Sequence, residues 1–328
     1  MDYSEIIRKP IALEYQQFID LYDEVLNAEG GLLQQVLDSV RRGRGKMLRP
    51  QLVLLLCKAL NGSGAVPKDA FIGALSLELL HTASLVHDDV VDDSDKRRGM
   101  ASINAAFGNK VAVLAGDYIL STALRILADT KDTALVAAIS NLGKTLSHGE
   151  LLQLESVSNE EISEEIYFEV ISRKTASLFE TCGTVAATVL EADQNAMQMA
   201  SEFGRKVGLI FQIKDDILDY ISDSTTIGKP VGNDLREGKV TLPLIFAVKS
   251  NPQPQMLELI KKAKAMDATS DDVRTLVDFA IRNGGIEYAE ERMQQLRNEA
   301  LMLIKNAVEA TVADALKAYI DFAINRKK

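Results

Sequence analysis

The sequence contains no tryptophan, only 7 prolines and 5% aromatic residues. Alternating patterns rich in aromatic and β-branched residues are missing, so strands have little to build on. Two cysteines, Cys57 and Cys182, stand far apart without CxxC spacing. That excludes a disulfide framework and suits a reducing compartment. The N-terminal segment MDYSEIIRKP is charged and lacks the apolar centre of a signal peptide. No uninterrupted apolar run exceeds residues 52–57, far too short to cross a bilayer. A cytoplasmic protein without a membrane-spanning segment is expected. The formal charge of −10 argues against general nucleic-acid binding, which needs a basic footprint. It does not exclude an anionic substrate, because local lysine and arginine clusters decide that.

What is present is helix-forming. Ala, Leu, Glu and Lys abound, and the 3.6-residue period runs through nearly the whole chain. The periodicity predicts one or two helices over 13–40, ending near Gly30 and Gly43. Pro50 suits the start of a helix reaching residue 60. A turn over 61–67 is followed by a long apolar helix over 68–92. Further helices are expected over 110–127, 132–154, 166–190 and 195–221, and again from Leu242 to the C-terminus. Residues 222–238 hold Gly228, Pro230, Gly232 and Gly238 among charges and read as an ordered loop. Neither low-complexity linker nor repeat divides the chain, so a single domain over 1–328 is expected.

The strongest chemical feature is DDVVD at 88–92. On a helix, Asp88 and Asp92 stack on one face with Cβ atoms roughly 5–6 Å apart. Stacked carboxylates repel each other unless a hard cation lies between them. Mg²⁺ takes oxygen ligands and keeps room for water and substrate phosphates. An acidic cluster at a helix end is usually only solvated. Here, however, an almost wholly apolar stretch, LELLHTASLVH, leads into it. The same spacing recurs as DDILD at 215–219, within GLIFQIKDDILDY. Carboxylates inside an apolar helix are costly unless paired or bound to metal. Two such triplets point to facing helices that hold cations around a polyanion, most simply a diphosphate.

Cations accompany the triplets. Arg97 and Arg98 follow the first directly, and GRGKMLRP places Lys46 and Arg49 beside the Pro50 helix start. RKTAS supplies Lys174 and Thr175, and the loop adds Lys229 and Lys239. Arginine forks fit phosphate oxygens in pairs, and lysine acts as a point charge. Singly, each pair is more often a surface charge. His81 lies two helical turns before Asp88 on the same face, where its N–H meets a second diphosphate.

These segments resemble a known family, the trans-isoprenyl diphosphate synthases. GKMLRP (45–50), LVHDDVVDDSDKRRG (85–99), GDYIL (116–120), RKTAS (173–177), FQIKDDILDY (211–220) and GKPVGNDLREGKVTLP (228–243) occur in that family's order and spacing. Arg44 and Gly45 stand where the family commonly doubles a glycine. The resemblance implies an all-α, single-domain helical bundle around a deep central cavity, and usually a homodimer. It assigns Asp88, Asp89, Asp92, Asp215, Asp216 and Asp219 to Mg²⁺, with Mn²⁺ able to substitute. Arg97, Lys174, Thr175, Gln212, Lys229 and Lys239 match the allylic diphosphate site. Lys46, Arg49, His81 and Arg98 match the isopentenyl diphosphate site. Asp88, Asp92, Lys174, Thr175, Gln212 and Asp215 are the expected catalytic set.

The implied reaction ionises an allylic diphosphate, adds isopentenyl diphosphate through its double bond and expels a proton. Cations that stabilise the leaving group carry it, and no nucleophilic triad is required. Below the first triplet, Ser84, Ala83, Leu80, Ser76 and Gly73 should line one wall of the product cavity, with Ile139 or Leu142 as its floor. Short-chain relatives tend to carry an aromatic residue at the place of Ala83. Its absence suggests a long channel and favours an octaprenyl-class product over geranylgeranyl or farnesyl diphosphate, the alternative being that Ala and Ser only allow close helix packing; farnesyl diphosphate is the expected starter. Two other readings are a terpene cyclase, which has no use for a second diphosphate site, and a non-catalytic synthase subunit, which typically lacks a complete triplet. Arg326, Lys327 and Lys328 read as a frayed basic tail, with a part in closing the site as the alternative.

Overall fold

The structure, a computed structural model, describes residues 3–62, 64–159, 161–221, 231–305 and 309–326. Among the described residues the chain is helical, and strand is confined to one antiparallel ladder, Lys96–Arg97 with Met100–Ala101. The all-α expectation therefore holds. The chain divides into two compact units, each gathered from separate stretches.

The first unit comprises Met1–Gly143, Leu178–Gly204 and Ile304–Ala318. Its core is the Lys68–Val91 helix, which buries Ala70, Ala74, Leu75, Leu77, Leu79, Ala83 and Val86 on several faces. A helix apolar around most of its circumference must be surrounded by others. It packs along the Asn109–Asp129 and Leu48–Asn61 helices. In the latter, every side chain from Leu52 to Cys57 is buried.

Two helices here, Lys68–Val91 and Asn109–Asp129, are long and apolar enough to cross a membrane. Counting uninterrupted apolar runs missed them, because single polar residues break each run. The Lys68–Val91 window is 67% buried in the protein core, but the Asn109–Asp129 window only 39%. The latter helix exposes Val113, Leu114, Tyr118 and Leu124.

The second unit comprises Lys144–Ser177, Arg205–Leu303 and Tyr319–Lys328. The Leu242–Ser250, Pro254–Lys264 and Ser270–Arg282 helices bury a core of Leu244, Ala247, Ile260, Val273, Leu276 and Ala280. Thr269 and Asp272 form a capping box that starts the last of these. The Lys264 ammonium donates to the carbonyls of Ser156 at 2.9 Å, Asn159 at 2.6 Å and Glu161 at 3.2 Å. It thereby closes the C-terminal end of the Thr133–Ser158 helix, where a cation suits the dipole.

One expected helix, over 166–190, is interrupted. The Glu164–Ile171 helix gives way to a π turn, Ser172–Ala176, before helix resumes at Ser177. Such turns inside helices collect at functional positions, and this one holds RKTA. Of the expected loop over 222–238, residues 222–230 lie outside the described residues, and Lys229 with them. The rest of that segment forms a turn and the short Asn233–Arg236 helix.

Candidate active site

In the first unit the Lys68–Val91 helix stops at the first aspartate motif. Asp92 closes its last turn, its backbone N–H donating to the Asp88 carbonyl at 2.8 Å. The three aspartates face different surroundings. Asp92 is exposed and Asp88 half-buried, whereas Asp89 is 2% exposed. Arg97 clasps Asp89 with two hydrogen bonds, Nε to Oδ2 and a terminal nitrogen to Oδ1, both 2.7 Å. The Asn104 amide also donates to the Asp89 carbonyl at 3.1 Å.

Arg97 comes within reach because RRG forms a tight hairpin that the sequence reading did not foresee. Arg97 pairs with Met100, leaving Arg98 and Gly99 as a two-residue loop with φ of 51° and 79°. Two positive φ values match a type I′ turn, where glycine is at ease and arginine is not. Arg98 is held there by its guanidinium, which donates to the Gly43 carbonyl at 3.0 Å. A Cβ on Gly45 would lie 2.6 Å from that guanidinium, so the retained glycine of GKMLRP leaves Arg98 its place. Arg44 turns away and pairs with Asp23 at 2.8 Å.

Arg97, Arg98 and His81 line one cavity of about 620 Å³, together with Met47, Glu78 and Asp89. Arg97, expected at the allylic site, thus shares a cavity with two residues expected at the isopentenyl site. His81 is buried, and its Nδ1 lacks a hydrogen-bond partner. Burial, reinforced by Arg49, Arg98 and Arg97, lowers its pKa well below the usual imidazole range, so the ring is neutral. Glu78, which the sequence reading passed over, is 4% exposed with Oε2 unpartnered. Burial pushes its carboxyl up, against the pull of Arg49 and Arg98.

Lys46 is exposed, and Arg49 lies over the Phe179 ring at 5.1 Å. Between them Met47 takes a left-handed conformation, φ 50°. The buried Gln51 amide fixes this bend by donating to the carbonyls of Lys46 at 2.5 Å and Met47 at 3.1 Å.

The second unit assembles the other set. Thr175 Oγ1 donates to Gln212 Oε1 at 2.7 Å, and Gln212 Nε2 donates to Asp216 Oδ1 at 2.8 Å. The Tyr167 hydroxyl completes the chain at Asp216 Oδ2, 2.6 Å away. Asp216 is 2% exposed, and burial pushes its carboxyl up. Lys174 bonds Glu150 at 2.6 Å and Gln153 at 3.2 Å. Gly149 permits this arrangement, since a Cβ there would lie 2.7 Å from the Lys174 backbone nitrogen. Lys174, Thr175, Gln212, Asp216 and Lys239 line one open cavity of about 840 Å³, whose apolar side includes Ile166, Val170 and Ile245. Lys239 also pairs with Glu237 at 2.5 Å. Asp219 accepts from the backbone N–H groups of Asn233 and Asp234, both at 3.1 Å.

The two motifs therefore share one design. The middle aspartate, Asp89 or Asp216, is turned inward and both its oxygens accept protein hydrogen bonds. Asp92 and Asp215 are exposed, and Asp88 and Asp219 half-buried. Among the described residues no group of three or more carboxylates, histidines or cysteines is placed to hold a metal ion. The outward carboxylates of each motif are hard oxygen donors, the kind a divalent cation takes beside water and phosphate.

The residues expected to set chain length are packed within the first unit. Ala83 is 2% and Leu80 6% exposed, and the Ser76 hydroxyl donates to the Ala123 carbonyl at 3.4 Å. Ser84 donates back to the His81 carbonyl at 2.9 Å. Ile139 and Leu142 are buried. None of them lines the 620 Å³ cavity.

One expectation is overturned at the C-terminus. Arg326 is not part of a frayed tail: its side chain is 8% exposed and bonds Asp215 at 2.8 Å. Lys327 and Lys328 lie outside the described residues.

An all-α chain with two aspartate-rich motifs, each backed by cations and a buried anchoring aspartate, is built to handle diphosphates with a divalent cation. The chain belongs to the polyprenyl synthetase family, whose family model matches residues 31–278. It is a prenyltransferase acting on isoprenyl diphosphates, and enzymes of this family use a divalent metal. It is 35% identical over 304 residues to an octaprenyl diphosphate synthase of Haemophilus influenzae, covering 92% of this chain and 90% of that protein. A geranylgeranyl pyrophosphate synthase structure from Bacteroides thetaiotaomicron superposes with a TM-score of 0.85 at 40% identity, covering 99% of this chain and 100% of that one. A polyprenyl synthase from Caulobacter crescentus CB15, complexed with calcium and isoprenyl diphosphate, superposes with a TM-score of 0.90 at 27% identity, covering 99% and 98%.

Proposed function

We propose that this enzyme extends farnesyl diphosphate with isopentenyl diphosphate, with Mg²⁺ as its metal, to an octaprenyl-class product. The length assignment rests on Ala83, a small buried residue just over one turn before Asp88 on the helix that ends at the first motif. The identity with the Haemophilus influenzae octaprenyl diphosphate synthase supports it.

In this reading Asp88 and Asp92 in the first motif, and Asp215 and Asp219 in the second, would hold divalent cations, which would supply charge neutralisation for a leaving diphosphate. Asp89 and Asp216 act as anchors, tying Arg97, Gln212 and Tyr167 to their motifs. Lys174, Thr175, Gln212 and Lys239, with Lys229, bind the allylic diphosphate and orient its C–O bond for ionisation. Lys46, Arg49, His81 and Arg98 hold the second diphosphate, which must stay intact. Neutral His81 serves there as an N–H donor. The isopentenyl double bond then attacks the allylic carbon, and the proton lost leaves with the diphosphate.

The chain acts as a homodimer in this proposal. The exposed Val113, Leu114, Tyr118 and Leu124 form an apolar face suited to a second copy, and a monomer mass by sedimentation equilibrium would remove that part.

The 40% identity with the Bacteroides thetaiotaomicron enzyme favours a second reading, a geranylgeranyl product. Incubation with labelled isopentenyl diphosphate and farnesyl diphosphate separates the two. Products near forty carbons support the first reading, and arrest at twenty the second. Turnover should vanish with chelator and fall by orders of magnitude in folded Asp88→Ala. Near-normal turnover in that variant would sink the metal assignment.

A further inference from the structure

Arg326 carries a charge from the end of the chain into the second aspartate motif. It follows the Ala310–Asn325 helix directly, its backbone N–H donating to the Phe322 carbonyl at 3.1 Å. One terminal nitrogen of its guanidinium pairs with Asp215 Oδ1 at 2.8 Å and donates to the Phe211 carbonyl at 2.6 Å. It also lies over the Phe211 ring at 3.7 Å from the centroid. The Arg326 side chain is 8% exposed and Asp215 47%, so the cation is seated and the carboxylate faces outward. Nε is buried without a partner. This one side chain spans the helical turn from Phe211 to Asp215, which contains Gln212. An ordinary surface ion pair is not stacked on a ring and enclosed in this way.

Arginine cannot shed its charge near neutral pH. A divalent ion arriving at Asp215 must therefore break the 2.8 Å pair or settle beside a fixed positive charge. Either course opposes metal binding in the absence of a compensating anion. A diphosphate brings several negative charges and removes that opposition.

We propose that Arg326 is a positioning residue that acts as the internal counter-cation of Asp215, so that metal engages the second motif only together with a diphosphate. This rests on the reading of Asp215 as a metal ligand. The arrangement gives the reaction an order of binding. It keeps the carboxylate oriented and neutralised while the site waits, and it disfavours metal bound without substrate.

The test is Mn²⁺ binding to the full-length, metal-free enzyme, read as free Mn²⁺ by electron paramagnetic resonance, with and without inorganic diphosphate. Arg326→Gln should bind Mn²⁺ about fivefold more tightly than the wild type without diphosphate, a gain sized to a partly exposed ion pair. The gain should shrink when diphosphate is present. Arg326→Met, which keeps an apolar stem over the Phe211 ring, is the second variant should the first not fold, and should show the same gain. In Asp215→Asn combined with either variant the gain should disappear. Neutral, folded Arg326 variants that bind Mn²⁺ without diphosphate no more tightly than the wild type overturn the proposal, provided Asp215→Asn alone weakens binding when diphosphate is present. If Asp215→Asn alone leaves Mn²⁺ affinity and stoichiometry unchanged with diphosphate present, the metal reading of Asp215 fails, and the proposal fails with it.

Discussion

Glu78 places a carboxyl in the core of the first unit, 4% exposed, beside a cavity that also holds His81 and Arg98. An anionic substrate site is a poor home for a second anion, and the physics resolves this through the proton. Burial raises the folded-state pKa, while Arg49 and Arg98 oppose it without prevailing. The folded protein therefore keeps this proton at pH values where the unfolded chain has released it. Around the cavity, Tyr22, Arg44, Arg97 and Asp89 are the other charged or titratable groups, and all are retained in this comparison. Linkage then sets the sign. The contribution of Glu78 is most favourable below the ordinary carboxyl pKa of about 4.3 and declines as pH rises from there toward the raised value. Glu78→Gln should flatten that decline, so the variant gains melting temperature relative to the wild type as pH rises. Calorimetric melting curves of the two metal-free proteins measure it. Parallel curves across the range would show that Glu78 ionises as freely folded as unfolded.

At the scale of elements, function is set where helices are interrupted. The π turn Ser172–Ala176 advances Lys174 and Thr175 out of the regular spiral, and Gly149 of the Thr133–Ser158 helix is the surface it meets. The obstruction at Gly149 is main chain: a Cβ would stand 2.7 Å from Lys174 N and 3.0 Å from Arg173 C. Backbone cannot rotate away as a side chain can. Gly149→Ala should therefore cost about 1–3 kcal/mol of stability. In the proposed role of Lys174 it should also raise the Michaelis constant for the allylic substrate more than that for isopentenyl diphosphate. Urea denaturation and two-substrate kinetics check the two halves separately. Equal effects on both substrates would show that Lys174 does not belong to the allylic site. The RRG hairpin makes the same point in the first unit, where a strained Arg98 is held by its contact with Gly43 rather than by local preference.

At the scale of the whole molecule the open question is product length. One helical turn advances about 5.4 Å, close to one extended isoprene unit. Ala83 is 2% exposed within the first unit, so a ring placed there must either occupy a channel or displace a neighbour. Ala83→Tyr should stop elongation near the farnesyl stage in a stable protein while the first condensation stays fast. Chromatography of the labelled products, beside a thermal melt, decides between the outcomes. A protein destabilised by about 1–3 kcal/mol with unchanged product length would identify Ala83 as a packing residue.

The sequence by itself determined the helical class, most helix boundaries to within a few residues, and the spacing of both aspartate motifs. These depend on short-range periodicity and on spacings along one helix, which a linear string records directly. Asp88, Asp89 and Asp92 were legible as a triplet, and GKMLRP and RKTAS as cation-bearing segments. Tertiary structure decided which oxygen does what. Asp89 and Asp216 differ from their neighbours because Arg97 is folded back by the hairpin, Gln212 reaches along its own helix and Tyr167 arrives from a distant helix. Glu78 read as one polar residue in an apolar helix, and only its burial marks it. Arg326, 111 positions beyond Asp215, looked like the start of a basic tail until folding set it on that carboxylate. Burial and long-range pairing are properties of three-dimensional neighbours, and no local pattern encodes them.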